Sequence, residues 1–233
     1  MEAVCLGLFM VSAFAFGTLL EHPASLLHQT IPNAMLRRFL MGLAMGGTAI
    51  AIIYSPWGKQ SGGHLNPAMT FAFFRLGKLY FWDAVFYGVA QFTGAIIAAY
   101  ALKLLFPSEV QAITRLGGQS IASSVTLLQA VVLEAIATFF LVFVVFGTAV
   151  DPRAPKVGGF AIGLTIAADI LAIGPLTGAS MNPARSFGPA VVTGIFEGQT
   201  AFWVGPLVGG IVAALLYDKL FIGRQEPSPL PAQ

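Results

Sequence analysis

The residues with the most distinctive chemistry are two asparagines that occur in the same short motif. Each motif is a turn of small residues followed by Asn-Pro-Ala: Asn66-Pro67-Ala68 in the first half of the chain and Asn182-Pro183-Ala184 in the second. Asn is a preferred N-cap residue, and Pro at the first helical position loses no hydrogen bond. Each motif therefore predicts the start of a helix. The asparagines stand 116 positions apart, half of a 233-residue chain, which indicates an internal duplication.

Both predicted helices are short. Arg75 and the Gly77-Lys78 pair end the first, and Gly194 ends the second. About nine to eleven residues span roughly 14–17 Å, which is half of the hydrocarbon core of a bilayer. Glycine-rich backbone before a half-length helix is tolerated at membrane depth only inside protein or beside a water-filled cavity. Paired interrupted segments in corresponding halves of a chain indicate a solute path near the middle of the membrane.

The composition is that of an integral membrane protein. Apolar residues make up 57% of the chain and charged residues 9%, with a mean hydropathy of +0.81. Soluble domains contain about 25% charged residues. The net charge of +2 comes without a basic cluster, so no nucleic-acid partner is indicated. The histidines stand apart from any cluster of Cys or carboxylate residues, so no metal site is predicted.

Six apolar segments are long enough to be membrane helices. They are residues 3–20, 39–58, 84–102, 125–150, 157–173 and 201–217. Together with the two short helices they predict an all-α membrane protein of six transmembrane helices and two re-entrant half-helices, built as an inverted repeat. The first copy holds an odd number of spans, so the second copy is inserted upside down. The half-helices then enter from opposite faces and meet.

We interpret the chain as a single domain over residues 1–233. The first repeat covers residues 1–105, a connector covers 106–124, and the second repeat covers 125–222. The tail, residues 223–233, has three prolines and is predicted to be disordered. An even number of spans places both termini on one side. Seven Lys and Arg residues lie on that side and four on the other, which predicts cytoplasmic termini.

These motifs resemble the aquaporin, or major intrinsic protein, family over essentially the whole chain. The matching features are both Asn-Pro-Ala motifs, the Ser-Gly-Gly-His sequence at residues 61–64, and Asn-Pro-Ala-Arg-Ser-Phe-Gly-Pro-Ala at residues 182–190. Residues 169–207 are most similar to plant tonoplast and nodulin-26-like intrinsic proteins. The resemblance implies a homotetramer in a lipid bilayer with one pore per subunit, which passes water and small neutral solutes without cofactors or enzymatic chemistry.

The resemblance also implies roles for individual residues. Asn66 and Asn182 would direct amide N–H donors into the pore centre, where two helix N-termini each carry about half a positive charge and repel protons and cations. Glu134, an isolated carboxylate in a span, would bind the backbone of a re-entrant loop, with Glu2 as its counterpart in the first copy. His64 would be a loop-packing donor that lines the pore, with pH sensing as the alternative.

Relatives narrow near the outer mouth at four positions, which form a selectivity filter. An ungapped match from each Asn-Pro-Ala assigns these positions to Gly46, Ile170, Ala179 and Arg185. Strict water channels of this family have Phe, His, Thr or Cys, and Arg at these four positions. With glycine and isoleucine in the first two places, we expect a wide filter with one apolar wall, opposite a permanent cation that carries five donors. Such a filter favours glycerol, urea, or boric or arsenous acid besides water.

The sequence leaves alternatives for two residue assignments and for the function. A one-residue offset would place Met45 or Gly47 in the filter instead of Gly46. Asp169, a second intramembrane acid, could line the pore mouth, pair between subunits or serve packing. The alternative functions are a strict water channel, a secondary transporter built on an inverted repeat, and a structural membrane-junction protein with a closed pore. A secondary transporter would need a coupling carboxylate beside the asparagines, and the sequence has none there. A closed pore would need bulky filter residues, whereas those assigned here are small.

Overall fold

The computed structural model describes residues 1–155 and 157–223, and within these ranges all regular structure is helical. The helices are α1 Glu2–Glu21, α2 Leu26–Thr30, α3 Ala34–Tyr54, α4 Pro56–Ser61, α5 Pro67–Arg75, α6 Phe81–Leu105, α7 Ser108–Thr114, α8 Leu127–Val145, α9 Gly158–Ala172, α10 Gly174–Thr177, α11 Pro183–Thr193 and α12 Gln199–Tyr217. A 3-10 turn covers Arg115–Gly117, and π-helical turns at Phe146–Val150 and Asp218–Ile222 extend α8 and α12. The predicted disordered tail lies outside the described residues except for Gly223.

Five of the described helices are long and apolar enough to cross a membrane: α1, α3, α6, and α8 and α12 with their extensions. The sixth predicted span is α9, which has only 15 residues. It covers about 22 Å, less than the roughly 30 Å of a hydrocarbon core. The chain leaves α9 at Gly174-Pro175 for the second re-entrant loop. The predicted fold class, six spans with two half-helices, is confirmed.

The second span differs most from its predicted limits, residues 39–58. It begins at Ala34 because the Asn33 side chain accepts a hydrogen bond from the backbone N–H of Leu36 at 3.0 Å and so caps the helix. It ends at Tyr54, where Ser55 and Pro56 start α4. Pro56 in turn stands at the first position of α4, where a proline costs no hydrogen bond.

Both half-helices begin where the sequence predicts, at Pro67 and Pro183. Asn66 Oδ1 accepts the N–H of Ala68 at 2.9 Å, and Asn182 Oδ1 accepts the N–H of Ala184 at 3.1 Å. The first helix, α5, has 9 residues and ends at Arg75, and α11 has 11 residues. Gly194 terminates α11 with a left-handed φ of +77°, a conformation that glycine adopts without strain.

The loops before the half-helices have the same backbone conformation, which supports the duplication. The φ angles are +84° and +82° at Gly62 and Gly178, +53° and +53° at Leu65 and Met181, and −153° and −152° at Asn66 and Asn182. Leucine and methionine rarely adopt positive φ, because Cβ then crowds the backbone. Both loops must therefore be held by their surroundings in a conformation that their own residues do not favour.

Glycine residues allow the backbones of neighbouring long helices to come into direct contact. A methyl group on Gly46 of α3 would overlap the carbonyl oxygen of Gly163 in α9, and one on Gly209 of α12 would overlap that of Ala135 in α8. Gly94 of α6 contacts α1 in the same way. Small residues allow this approach where lipid supplies no hydrophobic drive for association.

The half-helices interlock the two repeats. The first half-helix, α5, packs against α12, the last span of the second repeat, while α11 packs against α6, the last span of the first. Large apolar side chains such as Val89, Leu104 and Leu164 point outward and are 59%, 84% and 63% exposed. That outer surface requires an apolar surrounding, and a lipid bilayer provides one.

Candidate functional site

A cavity of about 340 Å³ lies between the two half-helices. Its lining comes from both re-entrant loops, from α5 and the first turn of α11, and from α1, α3, α8 and α9. Apolar residues form most of the wall, among them Phe9, Ala49, Leu141, Ile162 and Ile166. The polar groups of the wall come from the two loops and the first turn of α11. The cavity therefore has an apolar side made by the spans and a polar side made by the loops.

The two asparagines are bonded crosswise at the centre of this cavity wall. Asn66 Nδ2 donates to the carbonyl oxygen of Met181 at 2.7 Å, and Asn182 Nδ2 donates to that of Leu65 at 2.7 Å. Each Oδ1 is already engaged in capping its own half-helix. This fixes the orientation of both amides. Because an amide nitrogen carries two hydrogens, each asparagine keeps one N–H donor for the cavity that it lines.

Glu2 holds the first loop. The residue is 2% exposed, and its Oε1 accepts hydrogen bonds from Ser61 Oγ at 2.6 Å and from the N–H of His64 at 3.1 Å. Oε2 accepts from the N–H of Leu65 at 2.6 Å and from Gln91 Nε2 at 2.7 Å. A buried carboxylate needs such a full set of donors, because each unpaired lone pair would cost free energy.

Glu134 holds the second loop in the same way. It is fully buried, and Oε1 accepts from Thr177 Oγ1 at 2.6 Å and from the N–H of Ser180 at 2.9 Å, while Oε2 accepts from the N–H of Met181 at 2.7 Å. Ser61 and Thr177 correspond by the 116-residue spacing. The structure thus gives Glu2 and Glu134 equivalent contacts, although they stand at different distances from their asparagines.

The two carboxylates determine where the loop carbonyls point. In a planar trans peptide the C=O points opposite to the N–H, and no described peptide bond is cis. The N–H groups of residues 64 and 65 point to Glu2, so the carbonyl oxygens of Gly63 and His64 point away from it. The same holds for residues 179 and 180 opposite Glu134. All four residues line the cavity, which therefore gains a row of acceptors on each side of the asparagines.

The His64 ring lines the cavity and is held by its neighbours. Its Nδ1 lies 3.1 Å from Thr70 Oγ1, which also receives a hydrogen bond from Gln91 Nε2 at 3.1 Å. The Thr70 hydroxyl keeps its hydrogen and a second lone pair, so it can bind Nδ1 in either tautomer of the imidazole. The ring packs against Phe73 and Tyr87 at centroid distances of 4.6 and 5.2 Å. These contacts fix the orientation of the ring.

The structure does not place Gly46 on the cavity, contrary to the ungapped match. Gly46 faces Gly163 of α9, as described above. The preceding residue, Met45, is 0% exposed and belongs to the same buried cluster as Ile170 and Ala179. Met45 is not among the residues that line the cavity either, and both Met45 and Gly46 stand about one helical turn from Ala49, which does line it. The assignment of this filter position to Gly46, or to Met45 by the one-residue offset, stays a prediction.

The other three predicted filter residues, Ile170, Ala179 and Arg185, all line the cavity. Arg185 is 7% exposed, and its backbone N–H donates to Asn182 Oδ1 at 3.2 Å. Its Nη1 is buried and has no hydrogen-bond partner, and the described part of the chain offers this guanidinium no ion pair. A buried donor without a partner costs free energy, and Arg185 itself lines the cavity.

Asp169 does not line the cavity, although its neighbour Ile170 does. The residue is 7% exposed, and Oδ2 has no hydrogen-bond partner. Lining of the pore mouth is therefore not the role that its position supports, and the packing and subunit alternatives remain. Within residues 1–155 and 157–223, no group of three or more His, Cys, Asp or Glu residues could hold a metal ion.

Comparisons with known proteins agree with this geometry. Aquaporin TIP1-2 of Zea mays is 45% identical over 186 residues, which are 78% of this chain and 71% of that protein. Aquaporin TIP2-1 of Arabidopsis thaliana is 42% identical over 187 residues, 79% of this chain and 73% of that protein. A probable aquaporin TIP2-1 of Oryza sativa subsp. japonica is 42% identical over 223 residues, 93% and 82% of the two chains.

A solved structure has the same fold. The aquaglyceroporin from Plasmodium falciparum superposes with a TM-score of 0.73 at 23% identity, covering 94% of this chain and 93% of that one. The sequence of residues 2–217 matches the family described as Major intrinsic protein. This match takes in both half-helices and all six spans. The chain therefore belongs to the major intrinsic protein family, the aquaporins, whose members are integral membrane channels for water and small solutes and not enzymes.

Proposed function

We propose that the protein is a passive channel for water and for small uncharged solutes such as glycerol, urea, or boric or arsenous acid. The observation that carries this proposal is the lining around Arg185. One buried guanidinium without a protein partner shares the cavity with the apolar side chains of Ile166 and Ile170. A small hydroxylated molecule can place its hydroxyls on the guanidinium and its carbon side against the apolar wall.

Met45, Ile170, Ala179 and Arg185 form the filter in this proposal. Methionine in place of glycine makes the filter narrower than the ungapped match suggests. Its unbranched thioether side chain has several rotatable bonds and can adapt to solutes of different shape. Ile170 offers no hydrogen bond, so a solute that passes beside it must find all its polar partners elsewhere. The filter thereby favours solutes with one polar and one apolar side.

The centre of the cavity supplies those partners and excludes ions. A passing molecule can accept hydrogen bonds from the free N–H groups of Asn66 and Asn182 and donate to the loop carbonyls on either side. Two helix N-termini, each with about half a positive charge, meet at the same point and repel cations. A water that accepts from both asparagines is oriented away from a continuous proton relay.

The assembly is part of the proposal. We propose a homotetramer with one pore per subunit and with both termini in the cytoplasm. The broad apolar outer surface is compatible with contacts to lipid and to further subunits. The larger number of Lys and Arg residues on the side of the termini supports the orientation.

The test is stopped-flow light scattering on purified protein in liposomes, with water, glycerol, urea and boric acid. We expect fast flux of water and of at least one solute, in proportion to its gradient. Ile170→His should reduce solute flux more than water flux, because it adds a polar ring to the apolar wall. Leu164→His, on the outward face of the same helix, is the matched control for the substitution itself.

The outcomes separate the alternatives. Fast water flux without solute flux would make the protein a strict water channel, with Met45 as the obstruction. Flux that saturates and follows an ion gradient would indicate a secondary transporter. Liposomes that pass neither water nor solutes would leave a structural role with a closed pore.

A further inference from the structure

The connector between the repeats docks on the second re-entrant loop but not on the first. Gly118 approaches Pro189 so closely that an added Cβ would lie 3.1 Å from Pro189 Cβ. The N–H of Ala122 donates to the carbonyl oxygen of Leu176 at 2.9 Å. Between these contacts, the side chain of Gln119 crosses Gly178, where an added Cβ would lie 2.8 Å from Gln119 Cβ and Cγ. Gly62, the counterpart of Gly178, has only His64 within 4 Å of the same point.

Gln119 reaches over Gly178 to the first turn of α11. Ser186 Oγ donates to Gln119 Oε1 at 2.7 Å, and Gln119 Nε2 lies 3.4 Å from the carbonyl oxygen of Gly117. Ser186 Oγ is also hydrogen-bonded to Ser180 Oγ in the loop. Ser186 follows Arg185 directly, so this link holds the turn from which the guanidinium extends into the cavity.

The first copy makes the corresponding link with a residue of a span. Thr70 corresponds to Ser186, and Gln91 Nε2 from α6 donates to Thr70 Oγ1 at 3.1 Å. The position 116 residues beyond Gln91 is leucine, so the second copy has no glutamine there. The connector supplies a glutamine in its place, from outside the repeat.

The link matters because Arg185 has few other restraints. Its guanidinium has no ion pair and its Nη1 no hydrogen bond to the described protein. The backbone of the first turn of α11, capped by Asn182 and tied through Ser186, determines where the side chain starts. We infer that Gln119 is a positioning residue for the filter: by holding Ser186 from the connector, it sets the position of Arg185 and with it the solute selectivity of the pore.

This inference rests on the proposed function of Arg185 in the filter. The experiment measures the ratio of glycerol to water permeability in liposomes that contain the full chain. Gln119→Ala removes the acceptor, and we expect the ratio to rise by about fivefold, the factor that corresponds to one net hydrogen bond. Ser186→Ala removes the donor and should produce the same rise, and the double variant should add nothing to either.

Two further variants separate positioning from general stability. Gln111→Ala removes another connector glutamine, which donates to the carbonyl oxygens of Lys103 and Phe106, and should leave the ratio unchanged. In an Arg185→Ala background, Gln119→Ala should have no further effect on the ratio, because the group that it positions is gone. A structural role alone would lower water and glycerol flux together in both backgrounds.

The result that overturns the inference is an unchanged ratio in both Gln119→Ala and Ser186→Ala, or an equal shift in the Arg185→Ala background. If the wild-type protein passes water but no glycerol, the proposed solute range is wrong, but the positioning role of Gln119 can still be tested. In that case Gln119→Ala is expected to give glycerol flux above that of empty liposomes, and no such flux would refute the inference as well.

Discussion

Gly46 of α3 and Gly163 of α9 lie in backbone contact, each occupying the space that a side chain on the other would need. An added Cβ on Gly46 would overlap the carbonyl oxygen of Gly163, and an added Cβ on Gly163 would lie 2.6 Å from the carbonyl oxygen of Gly46. The pair holds two spans together and leaves the cavity wall at this depth to the neighbouring residues. The position that an ungapped match assigns to the filter thus serves helix packing.

Gly46→Ala is expected to destabilise the protein without changing its selectivity. The added methyl group would force α3 and α9 apart, and overpacking of this kind costs about 1–3 kcal/mol. Gly47→Ala is the matched control, because nothing lies within 4 Å of a Cβ at that position. Alanine there should be neutral or stabilising, since glycine is a poor helix former. Thermal unfolding in detergent compares the two variants, and a stable Gly46→Ala protein with altered solute flux would return Gly46 to the filter.

Met45 substitutions are expected to change selectivity. Met45→Ala shortens a buried side chain of the cluster that contains Ile170 and Ala179 and should raise glycerol permeability, while Met45→Phe should lower it and leave water flux within about twofold. Met35→Ala is a suitable control, since Met35 lies near the start of the same helix and is 65% exposed. The measurement is again the glycerol-to-water ratio in liposomes. Equal ratios for the alanine and phenylalanine variants would show that Met45 does not narrow the pore.

Local chemistry made much of this fold predictable. The half-helices begin at Pro67 and Pro183 because Asn-Pro caps a helix through contacts within three residues, which the sequence displays directly. The spans follow from apolar length alone. Their ends are less predictable, as at Ala34, because a single capping residue such as Asn33 shifts them by several positions.

The candidate site was predictable in part. Ile170, Ala179 and Arg185, all matched from Asn182, line the cavity, whereas Gly46, matched from Asn66 across α4, does not. Gln91 and Gln119 bond to residues 21 and 67 positions away. Contacts at such separations depend on how the spans pack, and no local pattern in the sequence displays them.

Glu134→Gln is expected to disrupt the second loop. The carboxylate accepts from Thr177 Oγ1 and from the N–H groups of Ser180 and Met181, whereas an amide would turn an N–H donor toward at least one of these donors. Each buried N–H left unpaired costs about 1–3 kcal/mol. We expect a large loss of folded protein and of water permeability per folded molecule. Glu109→Gln, in the connector, serves as the control, and normal flux in Glu134→Gln would show that the loop does not need the charge.

Glu2→Gln is expected to be better tolerated than Glu134→Gln. An amide nitrogen in the place of Glu2 Oε1 would leave the N–H of His64 without its acceptor, and His64 is only half-buried, so water can reach that group. Around Glu134 the backbone donors belong to Ser180 and Met181, which are both buried, so water cannot replace a lost acceptor there. Comparison of expression, unfolding temperature and water flux for the two variants measures the difference. Equal losses would indicate that the charge itself, and not the acceptor count, holds both loops.

Asp151 is expected to make stability sensitive to acid. It lies in the turn after α8, where hydrogen bonds from the Arg153 side chain at 2.9 and 2.6 Å and from the Arg153 backbone lower the pKa of the Asp151 carboxyl well below its usual range. A carboxyl whose folded pKa is depressed stabilises the protein above its unfolded pKa of about 3.9 and loses that contribution as the pH falls toward the folded pKa. Unfolding temperatures measured between about pH 3 and pH 7 should therefore fall at the acid end, and less so in Asp151→Asn. Parallel acid profiles for the two proteins would assign the loss to other carboxyls.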